Sequence, residues 1–194
     1  MNREIKTNRK TQYTRKVLRD SLVELMRQKP VSKITIKELC QTADINRTTF
    51  YVHYRDQYDL LQQIEEDTIS YVAGMLDKYE NKRSRREVIE MVEEMVGYIA
   101  NNSNSIQVLL SENGDINFQK RLFNLLTHQE QIIKYFNGKT IDEETREYYS
   151  IFFVNGAIGF MQHWLKKQMN IPVPQLARML IKFDGTWPVP EKHF

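Results

Sequence analysis

The chain has 194 residues, of which 41% are hydrophobic and 27% charged, a balance typical of a folded water-soluble protein and unlike disordered or collagen-like chains. There is no uncharged apolar run of about 18 residues, and no apolar stretch follows the basic start, so we expect neither membrane span nor signal peptide and a cytoplasmic location. With Cys40 as the single cysteine, an internal disulfide and a multi-cysteine metal site are excluded.

Charge is distributed unevenly along the chain. Residues 1–55 carry 13 Lys and Arg against 5 Asp and Glu, a net charge of +8, whereas residues 56–194 carry 15 against 20, a net charge of −5. A basic module joined to an acidic body is typical of a protein that presents one end to phosphate. A solvated basic face without a partner is the alternative that charge alone leaves open.

Apolar residues recur at helical spacing almost everywhere, and the alternation typical of strands is nearly absent, so the sequence predicts an all-α fold. The first helix is predicted from about Thr11 to Gln28, before Pro30 stops it. Thr35 can cap a second, short helix. The buried stripe of that helix is predicted to consist of Ile36, Leu39, Cys40 and Ala43. Cys40 is then a small buried apolar side chain, with a redox-sensing thiol as the alternative.

A four-residue turn, Ala43-Asp44-Ile45-Asn46, comes next. Asp and Asn are the non-glycine residues that best tolerate the left-handed conformation of a sharp turn. Asn46 can cap a third helix, from about Arg47 to Tyr54, in which Phe50 is the predicted core anchor. Two short helices joined in this way over residues 35–54 are typical of a helix-turn-helix whose second helix enters the major groove of DNA.

The rest of the chain predicts a larger helical region. The predicted helices cover about residues 57–76, 87–101, 106–110, 118–136 and 143–167, followed by a final helix that Pro172 and Pro174 start. The helix over residues 143–167 is apolar almost all round and therefore needs a partner. We predict that it pairs with the final helix and with their symmetry mates in a four-helix dimer interface. The interface residues are predicted to be Phe153, Gly156, Ala157, Gly159, Phe160, Leu176, Met179 and Leu180.

Specific motifs then point to a known family. The chain carries TIKEL at residues 35–39, ADINRTTFYVHY at residues 43–54, and a Leu pair at residues 60–61. Over about residues 10–65 it resembles the N-terminal domain of TetR/AcrR-family transcriptional regulators, and the aromatic-x-His-aromatic ending of the third helix makes the match specific. The segment FFVNGAIG at residues 152–159, with the Trp-Leu pair at residues 164–165, is similar to the dimerisation helix of one branch of that family.

The resemblance implies roles for individual residues. Arg47, Thr48 and Thr49 are expected to face the major groove, where an Arg fork can bridge guanine O6 and N7. Thr35, Tyr51 and His53 are expected to bind backbone phosphates. The resemblance also implies four further DNA-binding residues, which are Lys37, Asn46, Tyr54 and Gln57. A structural histidine is the alternative for His53, and a core position is the alternative for Tyr54.

The sequence departs from the family pattern at two positions. The family often has Gly where Asp44 stands and Lys where Gln57 stands, and the second change removes a positive charge near phosphate. Basic residues of the N-terminal arm are expected to follow the DNA backbone or enter the minor groove, with a disordered tail as the alternative. These basic residues are Arg3, Lys6, Arg9 and Lys10.

By the same resemblance, residues 1–56 form the DNA-binding domain and residues 57–194 a helical ligand-binding and dimerisation domain. The second domain is expected to bind an unknown small-molecule effector, with a protein co-regulator as the alternative. The candidate pocket residues are Met95, Tyr98, Phe118, Phe123, Tyr148, Phe152 and Trp164, although aromatic and Met stripes at helical spacing are usually plain core.

The leading prediction is a homodimeric repressor that binds double-stranded operator DNA and is relieved by the effector. The alternative is an activator of the same family. An enzyme is not expected, because the sequence has no HExxH motif, nucleophile elbow or phosphate-binding glycine loop, and no cofactor is expected. A third class is a module that has lost DNA binding.

Overall fold

The computed structural model describes residues 2–80, 84–127 and 142–182, and across these ranges every regular element is a helix. The helices are α1 (Asn2–Met26), α2 (Ile36–Thr42), α3 (Arg47–His53), α4 (Gln57–Tyr79), α5 (Arg85–Asn101), α6 (Ser103–Leu109), α7 (Ile116–Thr127), α8 (Glu143–Lys166) and α9 (Val173–Lys182), with one short 3-10 turn at Val31–Lys33. The all-α prediction is confirmed. No described helix combines the length and the apolarity that a membrane crossing requires.

Helix α1 differs from its prediction at the N-terminal end. It begins at Asn2 rather than near Thr11. The apolar stripe that revealed the helix begins where α1 meets a core, at the buried residues Thr14 and Leu18. The preceding turns are polar and lack Pro and Gly, so nothing in them breaks the helix and nothing in the apolar pattern shows it. The predicted helix over 118–136 is observed as Ile116–Thr127, and its predicted continuation lies outside the described residues.

The chain divides into two compact units. Among the described residues, the first contains residues 2–70 and 104–119, and the second contains residues 71–80, 84–103, 120–127 and 142–182. Helix α4 is continuous through the change at residue 70. This division follows packing, and the predicted functional division after residue 56 remains a prediction.

The first unit is held together by a buried apolar core. α1 packs on α2, and α2 on α3. Side chains from α1, α2, α3 and α4 fill the interior, and the largest fully buried ones from these helices are Leu18, Leu22, Met26, Leu39, Phe50, Leu60 and Ile64. Burying one such side chain stabilises a fold by about 1.5–3 kcal/mol. The two short helices α2 and α3 are therefore fixed by their apolar faces rather than by their own helical propensity.

The second unit is built around α5, which packs against α9. Ser84 caps α5 in a capping box, because its Oγ accepts from the Glu87 backbone N–H at 3.2 Å while a Glu87 carboxylate oxygen accepts from the Ser84 N–H at 3.0 Å. Met75 and Tyr79 of α4 form a small core cluster with Met91 of α5. α8 buries one face, and its core residues are Ser150, Val154, Met161, Trp164 and Leu165.

Candidate nucleic-acid interface

The turn between α2 and α3 has the geometry that its sequence predicted. Asp44 adopts a left-handed conformation with φ of 52°. The Ile45 N–H donates to the Cys40 carbonyl at 3.0 Å, and the Ala43 N–H donates to the Leu39 carbonyl at 2.9 Å. These bonds satisfy carbonyls that the end of α2 leaves without helical partners. The turn thus reverses the chain without a glycine.

α3 is capped at its start and anchored from behind. The Asn46 side-chain oxygen accepts from the Thr48 N–H at 2.8 Å, so Asn46 is an N-cap as predicted. Phe50 is completely buried, with ring centroids 5.5 Å from Tyr51 and 5.9 Å from Tyr54. The cap and the anchor hold the helix so that its opposite face points to solvent.

The solvent face of α3 is rich in groups that can bind nucleic acid. Arg47 and Thr48 are exposed, and Thr49 is half-buried at its edge. The Tyr51 side chain is 58% exposed, although an aromatic ring of this size is usually mostly buried. The face therefore offers a guanidinium fork, hydroxyl groups and a planar ring side by side, which are groups that bind base edges and phosphate oxygens.

Val52 belongs to the same face and was missed in the sequence analysis. It is 75% exposed, and it lies one helical turn after Thr48. An exposed apolar side chain in this position can contact the methyl group of thymine. The signal in the sequence is a valine on the polar side of a short amphipathic helix, four residues after Thr48.

His53 lies at the end of α3 and is half-buried. Burial lowers the pKa of its imidazole below the ordinary value of 6.5, and the positive charge of Arg15 on α1 lowers it further. Arg15 is exposed, and no pattern in the sequence distinguishes it from the other basic residues of α1. The structure thus brings the Arg15 guanidinium of α1 close enough to act electrostatically on His53, which is predicted to bind phosphate.

α2 places two further predicted residues at the surface. Thr35 is exposed and caps α2, its hydroxyl oxygen accepting from the Glu38 N–H at 3.2 Å. Lys37 is exposed in the first turn. The Lys29 ammonium donates to both Glu38 carboxylate oxygens, at 2.7 and 2.8 Å, and this hydrogen bonding lowers the pKa of the Glu38 carboxyl. The ion pair ties α2 to the segment after α1.

Tyr54 is a correction to the predicted set. Its side chain is only 6% exposed, and burial is the main cause that raises the pKa of its hydroxyl above 10.0. Its ring packs against Phe50, which makes it part of the core, as the alternative reading allowed. Gln57, at the start of α4, is half-buried. The neighbouring Arg55 forms an ion pair with Asp59 at 3.1 Å, which holds its guanidinium at the start of α4.

The predicted effector-pocket residues differ in exposure and in the unit to which they belong. Tyr148 and Phe152 are 69% and 80% exposed on α8, so they line no enclosed site in the described chain. Phe118 lies in the first unit and is buried, whereas the other candidates lie in the second. The effector pocket therefore stays a prediction.

Three of the four remaining pocket candidates have structural partners in the second unit. Met95 packs against the Met75 cluster, and Tyr98 stacks on Tyr71 with ring centroids 3.8 Å apart. The buried Trp164 indole donates to the Ile171 carbonyl at 2.9 Å and so fixes the turn into α9. Phe123 is half-buried on α7. Among the described residues, no cluster of His, Cys, Asp or Glu could hold a metal ion.

The predicted dimer residues separate into two groups. Gly156 and Gly159 are exposed on α8, and they are flanked by the half-buried residues Phe153, Ala157 and Phe160. On α9, Met179 and Leu180 are half-buried. Leu176, in contrast, is 1% exposed within its own chain. Its side chain fills the core of its own subunit, which distinguishes it from the other predicted interface residues.

The two short helices α2 and α3, with the turn between them, form a helix-turn-helix, and the comparisons with known proteins identify the family that carries it. A TetR-type family model, described as transcriptional regulator C-terminal region, matches residues 86–183. The HTH-type transcriptional regulator AcrR of Shigella flexneri is 30% identical over 77 residues, which are 40% of this chain and 36% of that relative. The match therefore spans little more than a third of the relative's length.

Solved structures share the fold. A TetR transcriptional regulator from Streptococcus agalactiae is 22% identical to this chain, with a TM-score of 0.62. The match covers 93% of this chain and 98% of that structure's chain. FadR from Bacillus subtilis, solved in complex with stearoyl-CoA, is 9% identical to this chain, with a TM-score of 0.59. The match covers 88% of this chain and 97% of the FadR chain. The chain belongs to the TetR/AcrR family of transcriptional regulators.

Proposed function

We propose that the protein is a homodimeric repressor that binds operator DNA through α3 and is released by an effector bound in its second unit. The observation that carries the proposal is the α3 surface. A capped helix with a fully buried anchor, Phe50, presents Arg47, Thr48 and Tyr51 to solvent. The basic segment over residues 1–55 belongs to the same unit, and its net charge of +8 favours a polyanionic partner.

The side chains of α3 divide into base-reading and phosphate-binding groups. Arg47 reads guanine through its two-pronged guanidinium, and Val52 contacts a thymine methyl group. Tyr51 and His53 bind phosphate, which positions the helix without selecting sequence. Two copies of the chain then read two half-sites about one helical turn of DNA apart, as expected of a twofold dimer.

Repression follows from the simplest use of such a complex. A protein that occupies a promoter blocks it without contacting anything else, so binding alone is sufficient. The structure of FadR with stearoyl-CoA shows that this fold can hold a small molecule. An effector that binds one spacing of the two α3 helices more tightly would shift the dimer away from the operator. The chain is thus proposed to act by binding rather than by catalysis.

The test measures affinity for a fragment of the protein's own promoter and for random DNA over a range of salt concentrations. Arg47→Ala is expected to weaken specific binding by roughly 1–3 kcal/mol and to relax base preference at one position of each half-site. The matched control is Arg86→Ala, because Arg86 is exposed on α5 in the second unit, paired with Glu90 at 2.9 Å. If the promoter fragment never binds more tightly than random DNA, the proposal fails.

Transcription in vitro from the same promoter tests the direction of regulation. Added protein is expected to reduce transcript in proportion to operator occupancy. An increase would mean that the protein is an activator.

A further inference from the structure

We propose that Val52 makes operator binding depend on the C5-methyl groups of pyrimidines, so that 5-methylcytosine can replace thymine at one position of each half-site. The proposal rests on the proposed operator binding and extends it from base sequence to a covalent modification of DNA. The ligand of Val52 is therefore a C5-methylated pyrimidine in double-stranded DNA, and methylation of a cytosine in the operator would strengthen binding.

Val52 lies on the ridge of α3 that projects furthest from the core. Successive residues of an α-helix are turned by about 100°, so Thr48 and Val52, two residues before and after Phe50, both lie about 160° away from it. Phe50 is completely buried, so its direction marks the side of α3 that faces the core. Thr48 and Val52 form the opposite edge, and both are exposed. A groove that receives α3 with Phe50 behind it meets these two side chains first.

The exposure of Val52 leaves its methyl groups available to a ligand. Val52 is 75% exposed, more than any other large apolar or aromatic residue described in the first unit. Packing within the unit therefore gains little from this side chain, and a β-branched residue also forms helix less readily than Ala. A single exposed apolar residue is common on protein surfaces, but this one shares its helix face with Arg47 and Thr48. Its neighbours are thus groups that bind base edges.

Valine can recognise one kind of feature on a base-pair edge in the major groove. Its side chain neither donates nor accepts a hydrogen bond, so it gains nothing from the ring nitrogens, amino groups and carbonyl oxygens of that edge. The C5-methyl group of thymine is the apolar group there. Contact between Val52 and this methyl group removes apolar surface from water, and burial of one such group strengthens binding about fourfold.

Cytosine carries a hydrogen at the ring position where thymine carries its methyl group. Methylation of cytosine at C5 therefore places the same apolar group at the same point of the groove, and the N4 amino donor stays in place. The neighbouring Thr48 hydroxyl both donates and accepts hydrogen bonds, so it is compatible with the N4 donor of cytosine and with the O4 acceptor of thymine. Val52 thus distinguishes methylated from unmethylated cytosine.

Uracil substitution in the promoter fragment tests the contact one methyl group at a time. Each thymine is replaced in turn by uracil, which differs only in lacking the methyl group, and affinity is measured by fluorescence anisotropy. At one thymine of each half-site, uracil is expected to weaken binding by the natural protein about fourfold per half-site. The same replacement should leave the affinity of Val52→Ala unchanged, because the shorter side chain does not reach the methyl group.

Methylated DNA tests the extension to cytosine. The thymine identified with uracil is replaced by cytosine or by 5-methylcytosine, each paired with guanine. The natural protein is expected to bind the methylated fragment about fourfold per half-site more tightly than the unmethylated one, whereas Val52→Ala should bind both equally. Equal binding of the two fragments by the natural protein would overturn the proposal.

Two further variants locate the effect on α3. Ile116→Ala is the matched control, because Ile116 is an apolar residue of the first unit that is 59% exposed on α7, outside the helix-turn-helix. Thr48→Ser removes the other methyl group of the ridge and keeps the hydroxyl. Both variants should respond to uracil as the natural protein does. Loss of the response in Thr48→Ser, with the response retained in Val52→Ala, would overturn the role of Val52. Circular dichroism establishes that all variants fold.

The same titrations separate this proposal from the proposed function. If the promoter fragment is bound specifically and uracil changes the affinity at no thymine, the methyl contact is overturned and operator binding stands. If the fragment is bound no more tightly than random DNA, operator binding and the methyl contact are both refuted.

Discussion

The turn between α2 and α3 depends on a single strained residue, and replacing it tests the structural reasoning. Asp44 has φ of 52°, a conformation that costs an ordinary L-residue roughly 1–2 kcal/mol. Asp reduces this cost because its short polar side chain can bond locally, whereas a β-branched residue has no such compensation. Asp44→Val is therefore expected to lower the free energy of unfolding by about 1–2 kcal/mol.

Glycine at the same position separates backbone strain from loss of the carboxylate. Asp44→Gly removes the remaining Cβ strain but makes the unfolded chain more flexible, at a cost of about 0.5–1 kcal/mol. The two effects nearly cancel, so its stability should stay within about 0.5 kcal/mol of the natural chain.

Thermal unfolding followed by circular dichroism, at one fixed protein concentration, measures these differences. A change of 1 kcal/mol shifts the midpoint by about 2–4 °C in a chain of this size, so Asp44→Val should unfold about 2–8 °C lower. Thr42→Val is the control, because Thr42 is an exposed residue of α2 with ordinary helical geometry. Equal midpoints for Asp44→Val and Thr42→Val would refute the assignment of strain to residue 44.

Three further predictions follow from buried groups in the first unit. Burial and the charge of Arg15 lower the pKa of His53, so folding favours the neutral imidazole and the free energy of unfolding should fall as pH decreases through about 6.5. Phosphate favours the protonated imidazole, so operator affinity should rise over the same pH decrease. His53→Gln should abolish both trends. Burial raises the pKa of the Cys40 thiol, with Arg47 acting in the opposite direction, so a thiol reagent should react slowly with the native protein and rapidly in denaturant; fast native reaction would support the redox alternative. Phe50→Ala should lower the free energy of unfolding by about 3–5 kcal/mol and abolish operator binding, as measured by urea unfolding and fluorescence anisotropy.

The local features of the helix-turn-helix could be read from the sequence because each depends on residues a few positions apart. Thr35 and Asn46 cap the helices that they were predicted to cap, and Asp44 takes the left-handed conformation expected of it. Caps, turns and apolar spacing act within one or two helical turns, so they are visible without knowledge of the neighbouring helices.

What the sequence alone left undetermined was which face of each helix another helix covers. Tyr54 is in the core while Val52 faces solvent, and the side chain of Leu176 is buried within its own subunit. These outcomes depend on contacts between residues far apart in the chain, and the hydrophobicity of a residue alone does not predict those contacts. The same packing brings Arg15 into range of His53 and leaves Phe152 of α8 exposed, because both outcomes depend on how the helices are placed around their cores.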